Sequence, residues 1–213
     1  MDRIKKIVTF GILPLLIVLL AVWAFWGTSG SDSYDYQGYI IAMRESDDGT
    51  VLTTISGDKK SEFTVKQYTR ERFSGELTEL KEGAFIKLST TGHSDTNIKR
   101  FSAYEGFSME GKIVCMEDSD SPFILTIDKD IDYYMLYSLI PSQDISYPLQ
   151  TGTQVKVYYQ YPLNASTKTI VVDAIEPTSE VLSALTEKEI GFIGRQGYTV
   201  AGYTAEYASG LLS

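Results

Sequence analysis

The sequence predicts a mainly β protein with an N-terminal transmembrane helix, two tandem five-stranded barrels and a short C-terminal helix. Three observations carry that prediction. Ile7 to Trp26 is an uncharged run, IVTFGILPLLIVLLAVWAFW. The chain beyond it breaks into short runs rich in Val, Ile, Tyr, Phe and Thr, separated by Gly, Asp, Ser and Asn, the pattern of strands and turns. These runs fall into two sets that superimpose at an offset of about 70 residues, the signature of an internal repeat.

The first element is the anchor. At about 1.5 Å per residue, Ile7 to Trp26 reaches about 30 Å, the depth of a hydrocarbon core. Arg3, Lys5 and Lys6 precede it and no Lys or Arg follows until Arg44. Residues 1–26 are therefore expected to form a cytoplasmic end and a single transmembrane span, with the remainder of the chain extracytoplasmic. Trp23 and Trp26 would mark the outer interface. The competing reading is a cleaved signal peptide, with Thr28 and Gly30 before Ser31 as the small-residue site; the apolar run exceeds the usual signal length, which favours an uncleaved anchor. Residues 27–35 form a linker, flexible through GTSGSDS.

The two β units are expected over residues 36–106 and 107–177. Strand runs in the first are Gly38–Arg44, Thr50–Ser56, Glu62–Val65, Ala84–Leu88 and Asn97–Tyr104. In the second they are Gly111–Met116, Phe123–Ile127, Tyr133–Tyr137, Gln154–Gln160 and Lys168–Ile175. Three blocks align in order: Gly38-Tyr-Ile-Ile with Gly111-Lys-Ile-Val, Leu80-Lys-Glu-Gly-Ala-Phe-Ile-Lys-Leu with Leu149-Gln-Thr-Gly-Thr-Gln-Val-Lys-Val, and Phe101-Ser-Ala-Tyr-Glu with Val172-Asp-Ala-Ile-Glu. Asp47-Asp48-Gly49 reads as a hairpin turn.

Five short strands per unit suit small closed barrels, because closure hides the edges an open sheet exposes. The arrangement resembles the tandem OB-fold-like domains of a membrane-anchored bacterial extracytoplasmic protein, with SH3-like barrels as the alternative. The resemblance implies a short helix between strands three and four, for which Arg70 to Leu80 is the candidate in the first unit. Pro141 and Pro148 make the matching connection of the second unit a loop. Residues 178–213 close the chain. Val181, Leu182, Leu185 and Ile190 are spaced for one face of a helix capped by Thr178 or Ser179, and Gly197–Ser213 reads as a tail that is mobile or orders on a partner.

Composition bounds the partners. The net charge of the 213 residues is −9; removing Asp2, Arg3, Lys5 and Lys6 with the anchor leaves 16 basic and 27 acidic residues, a net −11. Such a domain repels phosphate backbones, so no nucleic-acid partner is expected. The one cysteine, Cys115, has no disulfide partner within the chain and sits in the apolar run Ile113-Val-Cys-Met, where a buried inert thiol is expected.

His93 is the only histidine, in the turn-like Thr91-Gly-His-Ser-Asp, so a multi-histidine zinc site is excluded and any Ser-His-Asp triad rests on it alone. Asp118, Asp120, Asp128, Asp130 and Asp132 suggest a calcium loop, but Tyr133 and Leu139 stand where an EF-hand needs Gly and Glu. Asn164-Ala-Ser166 fits the glycosylation triplet. No glycine-rich phosphate loop joins a strand to a helix. No cofactor, metal or catalytic residue is therefore expected. The 15 tyrosines supply the one candidate ligand surface, Tyr133, Tyr137, Tyr158 and Tyr161, since tyrosine presents an apolar ring and a polar tip.

In layout the chain also resembles the membrane-anchored OB-fold haem chaperones of cytochrome c maturation, which hold haem through a His with a Tyr four residues on. Here Asn97 stands four residues after His93, so haem binding is not carried over. The expectation is a non-enzymatic binding or scaffold protein of the cell envelope, held in the membrane by residues 7–26 and engaging another envelope protein or cell-wall polymer. The alternatives are a glycan or small-ligand binder using the tyrosine face, and an envelope enzyme.

Overall fold

Alternation of β-branched and aromatic residues with polar ones produces strands wherever the sequence shows it. The computed structural model describes residues 34–66, 73–77, 79–92, 96–128, 132–142, 150–163 and 168–203. The expected anchor and the linker to Ser33, together with His93, Asp130, Pro148, Asn164–Ser166 and the chain after Tyr203, lie outside these residues. No helix among the described residues is long and apolar enough to cross a membrane.

The first sheet is built from β1 (Tyr36–Ser46), β2 (Gly49–Ser56), β3 (Lys59–Val65), β4 (Phe73–Gly75), β5 (Phe85–Thr90) and β6 (Ile98–Tyr104). The second is built from β7 (Phe107–Val114), β8 (Phe123–Asp128), β9 (Tyr133–Pro141), β10 (Gln154–Tyr159), β11 (Thr169–Val172) and β12 (Ala174–Pro177). Their hydrogen-bonded orders are β3-β2-β1-β5-β6-β4 and β11-β9-β8-β7-β10-β12. With β4 set aside and β11 and β12 taken together, the two orders are the same. Three strands form a meander, a fourth returns beside the first, and a fifth lies beside the fourth. Asp47 and Asp48 make the two-residue turn between the Ser46 and Gly49 partners, as read from the sequence.

The aligned glycines do equivalent work in the two sheets. A Cβ on Gly38 would lie 2.5 Å from the Ile55 carbonyl oxygen, and one on Gly111 would lie 2.5 Å from that of Leu125. Gly83 and Gly152 both adopt positive φ, 83° and 94°, at the turn before the fourth strand. The cores match as well. Ile40, Ile86, Leu88 and Phe101 are buried in the first, and Ile113, Val155, Val157 and Val172 in the second.

The sheets differ from the expected five-stranded rings in three ways. No closed barrel is found among the described residues; each ladder is an open, six-stranded one. The fifth strand of the second unit is split by Asp173: β11 runs parallel to β9, and β12 runs antiparallel to β10. The split has a backbone cause, because the Asp173 carbonyl accepts the N–H of Gly57 from the first sheet at 3.0 Å. The first unit carries a sixth strand, β4, which runs parallel to β6. The helix expected over Arg70 to Leu80 is corrected for its described part: Phe73–Gly75 is strand. Its Phe73 ring packs on Phe101 at 5.0 Å, and the N–H of Glu76 reaches the Ala103 carbonyl at 3.1 Å.

The C-terminal helix, α1, is Glu187–Arg195, later than the expected start. Thr186 caps it, not Thr178 or Ser179. The Thr186 side chain accepts the Glu189 N–H while the Glu189 carboxylate accepts the Thr186 N–H, a capping box that outcompetes the earlier Ser and Thr. Ser179 instead accepts the N–H of Val181 in a local turn. Of the expected helix face, Leu185 and Ile190 are buried while Val181 and Leu182 are exposed.

Candidate functional site

The two sheets meet at a junction that begins with one residue of β1. Gly38 lets β1 pass close under β2, and the next side chain, Tyr39, points into the second sheet and is fully buried. Its ring lies 5.2 Å from Phe85 of its own sheet and 5.3 Å from Tyr158 of β10. Its hydroxyl donates to Asp173 Oδ2 at 2.7 Å, and Ser142 Oγ donates to Asp173 Oδ1 at 2.8 Å. The Ile175 N–H reaches the Gly57 carbonyl at 2.8 Å, completing a two-way backbone link between the sheets. At the rim, Glu176 accepts from Tyr158 at 3.1 Å and pairs with Lys60 at 2.5 Å.

A cleft of about 180 Å³ opens beside this junction, lined by Gln37, Ser56, Phe85, Ser142, Gln160 and Asp173 among others. It is smaller than the roughly 300 Å³ at which pockets for drug-sized ligands begin. Its one carboxylate already holds two hydroxyl donors. A second cleft, of about 300 Å³, lies at the β1–β2 hairpin against Glu45, Asp47 and Asp48. No group of three His, Cys, Asp or Glu among the described residues is placed to hold a metal ion.

Burial pushes the Tyr39 hydroxyl well above its ordinary pKa, and the hydrogen bond and charge of Asp173 add to the shift. Burial and then Glu176 push Tyr158 the same way. The folded state therefore holds these protons more tightly than the unfolded chain. The stability they contribute is complete below about pH 10, the unfolded tyrosine value, and is lost as the pH rises beyond it. Thermal melts between pH 8 and pH 11.5 are expected to show a fall in Tm above pH 10 that is shallower in Tyr39→Phe than in the parent. Parallel profiles for the two proteins would contradict the assignment.

The four tyrosines picked from the sequence have different surroundings. Tyr133 is 55% exposed, with its ring 6.2 Å from Phe192 of α1. Tyr137 is half-buried against the second core and donates to Met135 Sδ at 3.3 Å. Tyr158 is buried in the junction, and Tyr161 is 79% exposed beyond β10. Tyr39, Asp173 and Glu176 carry the junction and were missed. For two of them the signal lay in the departures between aligned blocks, Tyr39 opposite Lys112 and Asp173 opposite Ser102; Glu176 stands opposite Glu105 and had no such signal.

No protein-family model matches the chain, and no curated protein is significantly similar to it.

Proposed function

We propose that the chain is a non-enzymatic binding or scaffold protein of the cell envelope, anchored by residues 7–26, with two OB-like barrels outside the cytoplasm. The junction supports this reading most strongly. Its partly buried carboxylate, Asp173, accepts from Tyr39 of the first unit and from Ser142 of the second, and so ties one unit to the other. A rigid pair tethered by a short linker presents its surfaces near the bilayer at high effective concentration. The strand order supports the OB-like reading. In each unit a fifth strand lies beside the fourth and also meets the third in parallel, through Thr64 and Asn97 in one and through β9 and β11 in the other. The partner is another envelope protein or cell-wall polymer; the net charge of the exported part disfavours nucleic acid.

Cross-linking in the native membrane, followed by purification of the full chain with its anchor, is expected to recover a stoichiometric envelope partner. Recovery of nothing above background would contradict the scaffold reading. A second reading, a glycan- or small-ligand-binding tyrosine face, draws on the exposure of Tyr133 and Tyr161. Binding on a glycan array that Tyr133→Ala and Tyr161→Ala abolish would favour it.

A further inference from the structure

The face by which the first unit docks onto the second has a counterpart on the second unit. Tyr39 pairs in register with Ile55, and Lys112 with Leu125. Each follows a glycine lying equally close to the neighbouring carbonyl, so Tyr39 corresponds to Lys112 and Ile55 to Leu125. Two residues on, Ile41 corresponds to Val114. In the first unit, Tyr39, Ile55 and Ile41 pack against Tyr158 and Ala174 of the second. In the second unit, Val114 and Leu125 pack instead against Ile190, Phe192 and Ile193 of α1.

The polar contact is repeated as well. Tyr39 donates to a carboxylate of the barrel it docks on, Asp173, at 2.7 Å. Lys112 donates to a carboxylate of α1, Glu189, at 2.9 and 3.0 Å, and to the Ala184 carbonyl at 3.2 Å. The helix thus supplies an apolar surface and one carboxylate at the place where the first unit meets a neighbouring barrel. The other end of the pair follows the same logic. Ala174, which takes Gly57 of the first unit in parallel pairing, corresponds to Ala103, which takes Gly75 of β4 in parallel pairing. Both ends of the two-unit stack are filled by local segments of the chain.

We propose that α1 is an intramolecular stand-in for a barrel, and that the face of the second unit beneath it is a docking face for an envelope partner. That partner is a β-barrel presenting Asp or Glu beside a small residue on an exposed edge strand. The chemistry follows from the chain's own junction, where Asp173, at the break between β11 and β12, precedes Ala174 of the edge strand β12, and from Lys112, a cation where the first unit has a neutral hydroxyl. Helix and partner compete for one surface, so binding requires α1 to lift. The inference rests on the scaffold reading and adds the surface and the kind of partner.

The test uses the full chain in its native membrane, with a photo-reactive benzoylphenylalanine in place of Tyr133 at the rim of α1. A reversible lock comes from Met116→Cys with Val200→Cys in a Cys115→Ala background. Met116 and Val200 form an antiparallel bridge. The flanking bonds, Glu117 N–H to Thr199 O and Ala201 N–H to Cys115 O, make it a non-hydrogen-bonded pair, whose short Cα separation suits a disulfide. Reduced protein is expected to cross-link to a barrel strand carrying Asp or Glu, with a yield that falls about tenfold or more on oxidation and returns on reduction. Equal yields in both redox states, a product of two copies of this chain, a cross-linked segment without an acidic residue, or no product from position 133 would each overturn the inference. A partner that co-purifies but never cross-links at position 133 defeats this inference alone; the absence of any partner defeats the scaffold reading too.

Discussion

Replacing Lys112 with Met is expected to cost the folded domain about 3 kcal/mol, the largest loss we assign to a polar contact in this chain. The Lys112 and Glu189 side chains are only 9% and 13% exposed and meet at 2.9 Å. Removing the ammonium leaves a carboxylate against an apolar cluster with only the Thr186 N–H and hydroxyl to hold it, at 2.7 and 3.1 Å. At this size the loss corresponds to a fall in Tm of about 6–12 °C. The double change Lys112→Met with Glu189→Gln is expected to recover most of it, because glutamine keeps the capping box while no charge remains buried. Urea unfolding of the three proteins measures both effects. A single-substitution loss below about 1 kcal/mol would assign the pair to the solvent-screened class instead.

Gly106→Ala is the second large expected loss, about 3 kcal/mol. Gly106 lies in the two-residue connection between β6 and β7. A Cβ there would run into the Gly83 carbonyl oxygen and would stand 3.0 Å from the Tyr39 ring and 3.1 Å from the Phe85 nitrogen. Backbone on one side and a fully buried ring on the other leave nothing flexible to yield. Gly83→Ala provides the contrast. Gly83 has a φ of 83° but no atom within 4 Å of an added Cβ, so only backbone strain of about 1–2 kcal/mol is expected. Equal losses at the two glycines would show that the connection is not tightly packed.

The β class and the strand positions were legible in the sequence because they follow from side-chain alternation and turn residues, which act locally. The glycine pairs were legible for the same reason: Gly38 with Gly111 and Gly83 with Gly152 each meet one backbone demand twice. What required tertiary information was the choice among competing local options. Thr178, Ser179 and Thr186 all offer a hydroxyl, and only Thr186 has Glu189 three residues on to complete the box. The strand at Phe73–Gly75 depends on Phe101 and Ala103, nearly thirty residues away. The break at Asp173 depends on Gly57, from the other sheet. The junction was hidden because Tyr39 looks like any strand aromatic and Asp173 like any turn carboxylate. Only the mismatch between the aligned repeats marks them.

The junction through Tyr39 and Asp173 makes the two units behave as one body. The measurement that addresses this most directly is hydrogen exchange by mass spectrometry in graded urea, following peptides that cover Ile40 in β1 and Ile113 in β7, each fully buried in its own core. The docked junction predicts that both peptides exchange through a single global opening, with the same free energy and the same urea dependence, and that Asp173→Ala separates them. Distinct opening free energies for the two peptides in the parent protein would contradict this coupling, since they would show two sheets that fold and move independently.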